Sequence, residues 1–165
     1  MTERITYTLH SIPDGIPGIR ATLKVMSGLV KTYKSQQPIR ELALSLTRDL
    51  QQKDYVQEVK RIHAYVRDTI RYVKDIHGVE TIQTPVQTLR IGAGDCDDKS
   101  TLVASLLESI GHPTRFVAVG FAKNMLSHVL VQTKVANNWI NVECTENVPL
   151  GWRPPNIKAM MVEHN

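Results

Sequence analysis

Apolar residues recur at intervals of three and four through the first half of the chain, which is the spacing of one buried face of an α-helix. Three such stretches follow one another between residues 19 and 73. Pro38 suits the first turn of the second stretch, and Asp54 suits the N-cap of the third. Prolines and glycines up to Gly18 predict an extended arm before the first helix. The first half is therefore predicted to be helical.

The second half has a different pattern. Thr84 and Pro85 have the residue types of a helix cap and a first helical position, which predicts a short helix that ends near Gly92. A longer helix is predicted over 97–110, with Gly111 as its C-terminal cap. Runs rich in β-branched and aromatic residues then predict three strands, over 115–121, 127–135 and 139–144.

Helices followed by strands predict an α+β domain in which the helices pack on a small antiparallel sheet. The 165 residues contain no repeat, low-complexity tract or long linker, so we expect one domain over 1–165, with an extended arm over 1–18 and a core over about 39–155. Hydrophobic residues make up 42% and charged residues 22% of the chain, which is near the average of globular proteins and argues against wholesale disorder.

The chain has two cysteines, too few for a disulfide framework or a four-thiolate metal site. Its start lacks the basic-then-apolar layout of a signal peptide, and no apolar run approaches the roughly 20 residues of a membrane span. We therefore expect a soluble protein made in a reducing compartment, the cytoplasm, with no membrane partner.

Positive charge is concentrated in the first half. Residues 1–74 contain 13 Lys and Arg against 7 Asp and Glu, whereas residues 75–165 contain 7 against 9, and the whole chain has a formal net charge of +4. A basic half could bind nucleic acid or an acidic protein surface. No basic cluster is interleaved with aromatic residues, so we expect solvated helix faces and no nucleic-acid partner.

The candidate chemistry is concentrated in segment 92–100, Gly-Ala-Gly-Asp-Cys-Asp-Asp-Lys-Ser. Its two glycines allow a sharp turn, and Cys96 follows where the long helix is predicted to begin. Free main-chain N–H groups and the helix dipole favour a thiolate at that position. Asp95, Asp97 and Asp98 oppose it with negative charge, so a nucleophilic thiol would need a deprotonating partner. The alternative role for Cys96 is that of a small buried apolar residue.

His128 is the one histidine of six that begins a predicted strand. If Ala136 and Asn137 form the two-residue turn to the next strand, Glu143 becomes a diagonal neighbour of His128 on the same face, about 7–8 Å away at the backbone. A turn one residue later would separate the two by four positions. A cysteine at a helix start, with a histidine and a carboxylate on adjacent strands, is the layout of a thiol acyl-transfer triad: Cys96, His128 and Glu143.

The strand alternation that brings Glu143 towards His128 turns Cys144 to the opposite face. We therefore expect Cys144 in the core, and this alternation opposes a zinc site of Cys96, His128 and Cys144. The acids around Cys96 lack the glycine and the terminal glutamate of a calcium loop. No metal or other cofactor is predicted. Trp139 shares the Glu143 face, where it either covers the His128–Glu143 pair or packs in the core.

Several motifs occur in a fixed order along the chain: Gly94-Asp-Cys-Asp-Asp-Lys-Ser100, Gly111-His-Pro-Thr-Arg115, Ser127-His128 and Trp139-Ile-Asn-Val-Glu143. In order and spacing they resemble the core of the transglutaminase-like superfamily of papain-like thiol enzymes, over about 42–155. A narrower resemblance, to the small transglutaminase-like proteins of tailed phages and prophages, is carried by Arg71-Tyr-Val73, Gln83-Thr-Pro85 and Gly151-Trp-Arg-Pro-Pro155. The family usually has Asp in the third triad position, where this chain has Glu143.

The resemblance implies a papain-like fold, a protein or peptide substrate and acyl transfer through the triad. Hydrolysis is preferred over amine cross-linking because water is always present. The Cys96 main-chain N–H is the first candidate for an oxyanion hole, and Gln83 or Gln87 is the candidate second donor. The alternative is a catalytically weak or inactive protein that uses the same fold to bind phage structural proteins. Such a protein would be found in the host cytoplasm and in the virion.

Overall fold

Helix α5 (Cys96–Ser109) lies at the centre of the computed structural model, which describes residues 6–75 and 80–165. Every residue from Asp98 to Leu107 is buried, because α5 contacts helices on several sides and the sheet on another. Within those two stretches, no helix is both long and apolar enough to cross a membrane. The helices packed around α5 are α1 (Ile16–Tyr33), α2 (Gln37–Thr47), α3 (Tyr55–Thr69) and α4 (Pro85–Ile91).

The strands form one antiparallel sheet and one short parallel pair. They are β1 (Arg71–Tyr72), β2 (Ala93–Gly94), β3 (Thr114–Gly120), β4 (His128–Val135), β5 (Asn138–Val142) and β6 (Ala159–His164). The last four form the antiparallel sheet, in the order β5-β4-β3-β6, and β1 pairs with β2. Helix α5 packs against β3 and β4. The predicted α+β class, with a Cys-bearing central helix on a small antiparallel sheet, is confirmed.

The sheet separates two apolar clusters. Alternate residues of β3 and β4 point into the main core with the helices: Phe116, Ala118, Val129 and Val131. The residues between them form a smaller cluster on the other face: Val117, Val119 and Leu130. Ile157, from the segment between β5 and β6, packs against this second cluster. His128 therefore begins a strand that has side chains packed on both faces.

The third helix ends before its apolar pattern does. The pattern continues to Val73, but Ile70 is already extended and the Arg71 N–H donates to Gly92 O over 2.9 Å as strand β1 forms. Val73 is 45% exposed. The prediction of a helix through Val73 is wrong because periodicity along one segment does not reveal that a distant segment, here β2, offers backbone partners.

The Lys99 side chain caps the C-terminus of α3. This side chain is buried, and Nζ donates to the main-chain oxygens of Arg67, at 3.3 Å, and of Ile70. Carbonyl oxygens at a helix C-terminus lack partners within the helix and carry partial negative charge, so they stabilise an ammonium there. Burial nevertheless lowers the pKa of Lys99. This contact fixes α3 onto α5.

The first helix and the last strand both contribute to the packed structure. Leu23, Met26 and Val30 of α1 are fully buried in the main core. Strand β6, which was not predicted, pairs with β3 along its whole length. Most side chains of β6 are only partly buried, so its sequence lacks the clear alternation of apolar and polar residues that predicts a strand. Of the predicted arm over 1–18, residues 1–5 lie outside the described residues, and α1 begins at Ile16.

The turn between β4 and β5 is the one on which the His128–Glu143 prediction depends. Ala136 and Asn137 both have positive φ, 48° and 67°, as a type I′ turn requires. Val135 pairs with Asn138 across it. The predicted register of this hairpin is confirmed.

We predict that Ala136→Gly stabilises the protein. A residue with a Cβ at positive φ costs about 1–2 kcal/mol, whereas glycine avoids this cost and loses about 0.5–1 kcal/mol to backbone entropy. The free energy of unfolding in urea should rise by about 0.5–1 kcal/mol. The matched control is Ala64→Gly within α3, where the same change should lower it by about 1 kcal/mol. A loss of stability in both variants would contradict the turn geometry.

Candidate active site

Cys96 is the first residue of α5, and a capping box fixes the main chain around it. The Asp95 carboxylate accepts from the N–H groups of Asp97 and Asp98, at 2.9 and 3.1 Å. In return the Asp98 carboxylate accepts from the Asp95 N–H at 3.2 Å. Two helix-terminal donors and the N-cap donor are thus satisfied by acids that flank the cysteine. These acids, predicted from the sequence to oppose a thiolate by their charge, thus also have a structural role at the helix start.

The Asp98 carboxylate also ties the preceding loop to α5. It is 1% exposed and accepts from the main-chain N–H of Gln83 at 2.7 Å and from its side-chain Nε2 at 2.8 Å. Burial raises the pKa of Asp98, and these hydrogen bonds oppose that rise. A Cβ on Gly94 would lie 2.5 Å from the Asp98 Cβ, so this position needs glycine. The loop, β2 and the helix start therefore form one rigid unit beneath Cys96.

The Cys96 thiol is partly buried among acids. Its Sγ donates to Asp97 Oδ1 over 3.6 Å. Burial raises the pKa of Cys96 well above its usual range, and the negative charges of Asp97 and Asp95 raise it further, whereas a hydrogen bond from the Val129 N–H lowers it. Burial and the negative charge of Asp95 raise the pKa of Asp97 to about 7, and burial and the negative charge of Asp98 raise that of Asp95 to about 6. The surroundings of Cys96 therefore favour the protonated form of its thiol.

Strand β4 begins beside this thiol. Ser100 of α5 donates its hydroxyl at 3.2 Å to the main-chain oxygen of Val129, the residue after His128. The first turn of α5 and the first residues of β4 are thus held together by their own hydrogen bonds. Cys96 and His128 lie on either side of that junction.

His128 and Glu143 are joined directly. Nε2 of His128 lies 2.6 Å from Oε2 of Glu143, whose side chain is 1% exposed. The other carboxylate oxygen accepts from the N–H and the hydroxyl of Thr145, at 2.7 and 2.6 Å. Burial acts to raise the pKa of Glu143, but the hydrogen bonds and the His128 charge outweigh it and leave this pKa below its ordinary value.

The ionised Glu143 decides which nitrogen of His128 carries the proton. A carboxylate only accepts, so the neutral ring has its hydrogen on Nε2 and its lone pair on Nδ1. Thr145, which orients the carboxylate, was not assigned a role from the sequence, although its position two residues after Glu143 is compatible with a local hydrogen bond to that side chain. The structure brings together the histidine and the acid of the predicted triad.

The two glutamines proposed as oxyanion donors are placed differently from each other. Both N–H groups of the Gln83 side chain are engaged, one with Asp98 and one with Ala93 O at 3.2 Å, so in this structure Gln83 has no side-chain donor left for a substrate. Gln87 is partly buried on α4, where its main-chain N–H donates to Thr84 Oγ1 as part of the helix cap. Among the described residues, none accepts a hydrogen bond from the Cys96 N–H.

Cys144 and Trp139 take no part in the contact between His128 and Glu143. Cys144 is 3% exposed in the main core, where burial raises its pKa above the usual range. Trp139 packs under the Arg115 guanidinium, 4.1 Å from its ring centroid, and pairs with Lys134 near the end of β4 opposite to His128. Trp139 therefore does not cover the His128–Glu143 pair. In the part of the chain that the structure describes, no cluster of His, Cys, Asp and Glu has the geometry of a metal site.

A groove of about 300 Å³ lies beside the site. Its walls come from the end of α3, from β1 and from the segment after Glu143, and they include Tyr72, Lys99 and Glu146. Burial raises the pKa of Tyr72, and the nearby Cys96, Asp95 and Asp97 add to this rise. The groove therefore lies beside Lys99, which follows Cys96 on α5, and beside Thr145, which bonds Glu143.

Comparison with known proteins places the chain in a family. The family model of the transglutaminase-like superfamily matches residues 40–144. A search of curated proteins finds no match to the sequence.

Solved structures match over most of the chain. A candidate protease from Parabacteroides distasonis has a TM-score of 0.61 at 16% identity, over 79% of this chain and 26% of its own. A candidate cysteine protease from Cytophaga hutchinsonii has a TM-score of 0.57 at 16% identity, over 86% and 55%. Calcium-bound LapG from Legionella pneumophila has a TM-score of 0.56 at 18% identity, over 82% and 80%. The chain thus spans only part of the first two, and at these identities the likeness is one of fold.

We predict that Asp97→Asn makes Cys96 more reactive. The change removes a negative charge and the acceptor of the thiol hydrogen, so the pKa of Cys96 should fall and alkylation by iodoacetamide at pH 8 should be about tenfold faster. Because the pKa of Asp97 is about 7, the ratio of variant to wild-type rate should be smaller at pH 6, where Asp97 is protonated in the wild type.

The alkylated peptide is identified by mass spectrometry, which separates Cys96 from Cys144. The matched control is Asp14→Asn, an exposed acid in the segment before α1, which should leave the rate unchanged. Equal rates for Asp97→Asn and wild type at pH 8 would show that Asp97 does not control the thiol.

Proposed function

The chain belongs to the transglutaminase-like superfamily, and we propose that it is a thiol-dependent acyl transferase that cleaves amide bonds of protein or peptide substrates through Cys96, His128 and Glu143. The observation that carries the proposal is the 2.6 Å bond between His128 Nε2 and Glu143 Oε2 at the junction where β4 meets the Cys96 thiol. The likeness to a candidate cysteine protease supports the same class of reaction.

The reaction begins with the thiol protonated. As substrate excludes water, His128 Nδ1 takes the proton from Cys96 and Sγ bonds the amide carbonyl carbon. The Cys96 N–H, which is free at the helix start, donates to the oxyanion. The C–N bond breaks, His128 returns the proton to the leaving nitrogen, and a thioester remains.

Hydrolysis completes the cycle. His128 takes a proton from water, whose oxygen bonds the thioester carbon, the C–S bond breaks, and the proton returns to sulfur. An amine in place of water would give cross-linking. We favour hydrolysis, as a peptidase or deamidase, because the surroundings of the thiol are acidic and would hold an attacking amine as its non-nucleophilic ammonium ion.

The glutamate in place of the usual aspartate is compatible with this role. Its extra methylene group is accommodated with both carboxylate oxygens bonded, one to His128 and one to Thr145. The Glu143 side chain is buried, so water competes little for its hydrogen bonds. These contacts favour a competent triad.

The alternative is a weak or inactive enzyme that serves as a binding module. The observation that favours it is the hydrogen bond from the Cys96 thiol to Asp97 Oδ1, at a place where burial and the charges of Asp97 and Asp95 raise the pKa of the thiol. Phage structural proteins as partners, and a location in the virion, remain predictions from the sequence alone.

The proposal is tested by incubating the protein with a peptide library and identifying the products by mass spectrometry. Cleavage adds water across a peptide bond, deamidation converts Gln to Glu, and cross-linking joins two peptides. We expect the wild type to give cleavage or deamidation, and Cys96→Ala to give neither while its thermal unfolding is unchanged. Cross-linking as the main product would overturn the preference for hydrolysis.

Substituting the acid of the triad tests its role. Glu143→Gln should reduce the rate by roughly 10²–10⁴-fold, because a neutral amide no longer fixes the tautomer of His128 or stabilises its cation. The matched control is Glu41→Gln, an exposed residue of α2, which should keep the wild-type rate. No product from the wild type, together with the same alkylation rate for Cys96 with and without His128→Ala, would favour the binding module.

A further inference from the structure

A second histidine is bonded to the acid of the proposed triad. His63 lies on the inner face of α3, is 1% exposed, and has Nε2 2.6 Å from the main-chain oxygen of Glu143. The two residues are 80 positions apart in the sequence. A contact over this separation follows from no local pattern, so it is not predicted from the sequence.

The direction of the bond follows from the acceptor. A carbonyl oxygen only accepts, so Nε2 of His63 must carry the hydrogen. The ring is buried, and burial lowers the pKa of His63, with the positive charge of Arg67 acting in the same direction and the hydrogen bond to Glu143 opposing both. A neutral ring with its hydrogen on Nε2 is therefore the state that fits this site.

Glu143 needs such an anchor because it lies just beyond the sheet. The pairing of β4 with β5 ends at Val131 and Val142, so the strand ladder does not include the main chain of Glu143. Glutamate also has one more rotatable bond than the aspartate usual in the family. Its carboxylate is positioned only if both ends of the residue are fixed: Thr145 holds the carboxylate, and His63 holds the main chain.

The same helix is fixed to the nucleophile. Lys99, three residues after Cys96 on α5, bonds the C-terminal carbonyl oxygens of α3, and His63 on α3 bonds Glu143. Helix α3 therefore sets the distance between the element that carries Cys96 and the residue that orients His128. A hydrogen bond of 2.6 Å would be lost if Glu143 moved by about 1 Å.

We propose that His63 is a positioning residue of the triad: through its hydrogen bond to the Glu143 main chain, it keeps the Glu143 carboxylate within reach of His128. This rests on the proposed function. His63 does not touch the substrate or the reacting atoms, and it acts through Glu143.

The first test uses the wild-type protein and needs no substrate. Long-range ¹H–¹⁵N NMR spectra report which nitrogen of each histidine is protonated. We expect His63 to be neutral with its proton on Nε2 from pH 5.5 to 8, and the His128 Nε2 proton to resonate far downfield because of its short bond to Glu143. A proton on Nδ1 of His63 would overturn the proposal, whether or not any variant folds.

The second test compares two substitutions of His63. His63→Met fills a similar volume without a donor, and His63→Gln offers an amide N–H in place of Nε2. We expect His63→Met to lower kcat by roughly 10–100-fold with KM within twofold, and to move the His128 Nε2 proton upfield. His63→Gln should restore a large part of both. Wild-type kcat and an unmoved His128 proton in a folded His63→Met protein would overturn the proposal.

The matched control is another buried histidine. His112 is 5% exposed and bonds Glu58 at 2.7 Å, away from the triad. His112→Met should lower thermal stability but keep kcat and the His128 resonance, so an equal loss of kcat in both Met variants would overturn the proposal. If the wild type proves to have no activity, the proposed function fails, while the effect of His63→Met on the His128 resonance still decides whether His63 positions Glu143.

Discussion

The structure depends on satisfying the main-chain donors at a helix start inside the protein. Helix α5 is buried along most of its length, and its first N–H groups cannot be left to water alone. Asp95 accepts from the N–H groups of Asp97 and Asp98 and leaves that of Cys96 without an acceptor among the described residues, and Asp98 extends the network to the loop at Gln83. As a consequence, the Cys96 thiol lies among negatively charged side chains. These charges oppose formation of a thiolate, so the chemistry proposed for Cys96 requires a base that removes the proton during the reaction.

Helix α3 connects the first turn of α5 to the end of strand β5 in the sheet. Buried polar groups rigidify a core only when each has its partner, and the side chains of His63 and Lys99 both have one. Lys99 of α5 bonds the end of α3, and His63 of α3 bonds the residue after β5. Cys96 and Glu143 come from elements that are far apart in the sequence. Their relative position is therefore set by a third element.

The sequence predicts the parts of this molecule that follow local rules. Three local features predict the class of fold and the His128–Glu143 pairing. They are the intervals of three and four between apolar residues in the helices, the turn at Ala136 and Asn137, and the alternation that separates Glu143 from Cys144. Strand β1, strand β6 and the His63 contact could not be predicted, because each depends on a partner many residues away. The turn of a hairpin determines which residues of its two strands are paired. No such local signal determines which residue of a helix contacts the end of a distant strand.

The acidic surroundings of Cys96 also affect its chemical survival. Peroxide and disulfides react with thiolates, and a thiol kept protonated by burial and by Asp97 resists both. Cys144, the other cysteine, is sealed in the core and is not an available disulfide partner. The Cys96 thiol is thus protected from oxidation by the charges of Asp97 and Asp95, the same charges that oppose formation of the thiolate.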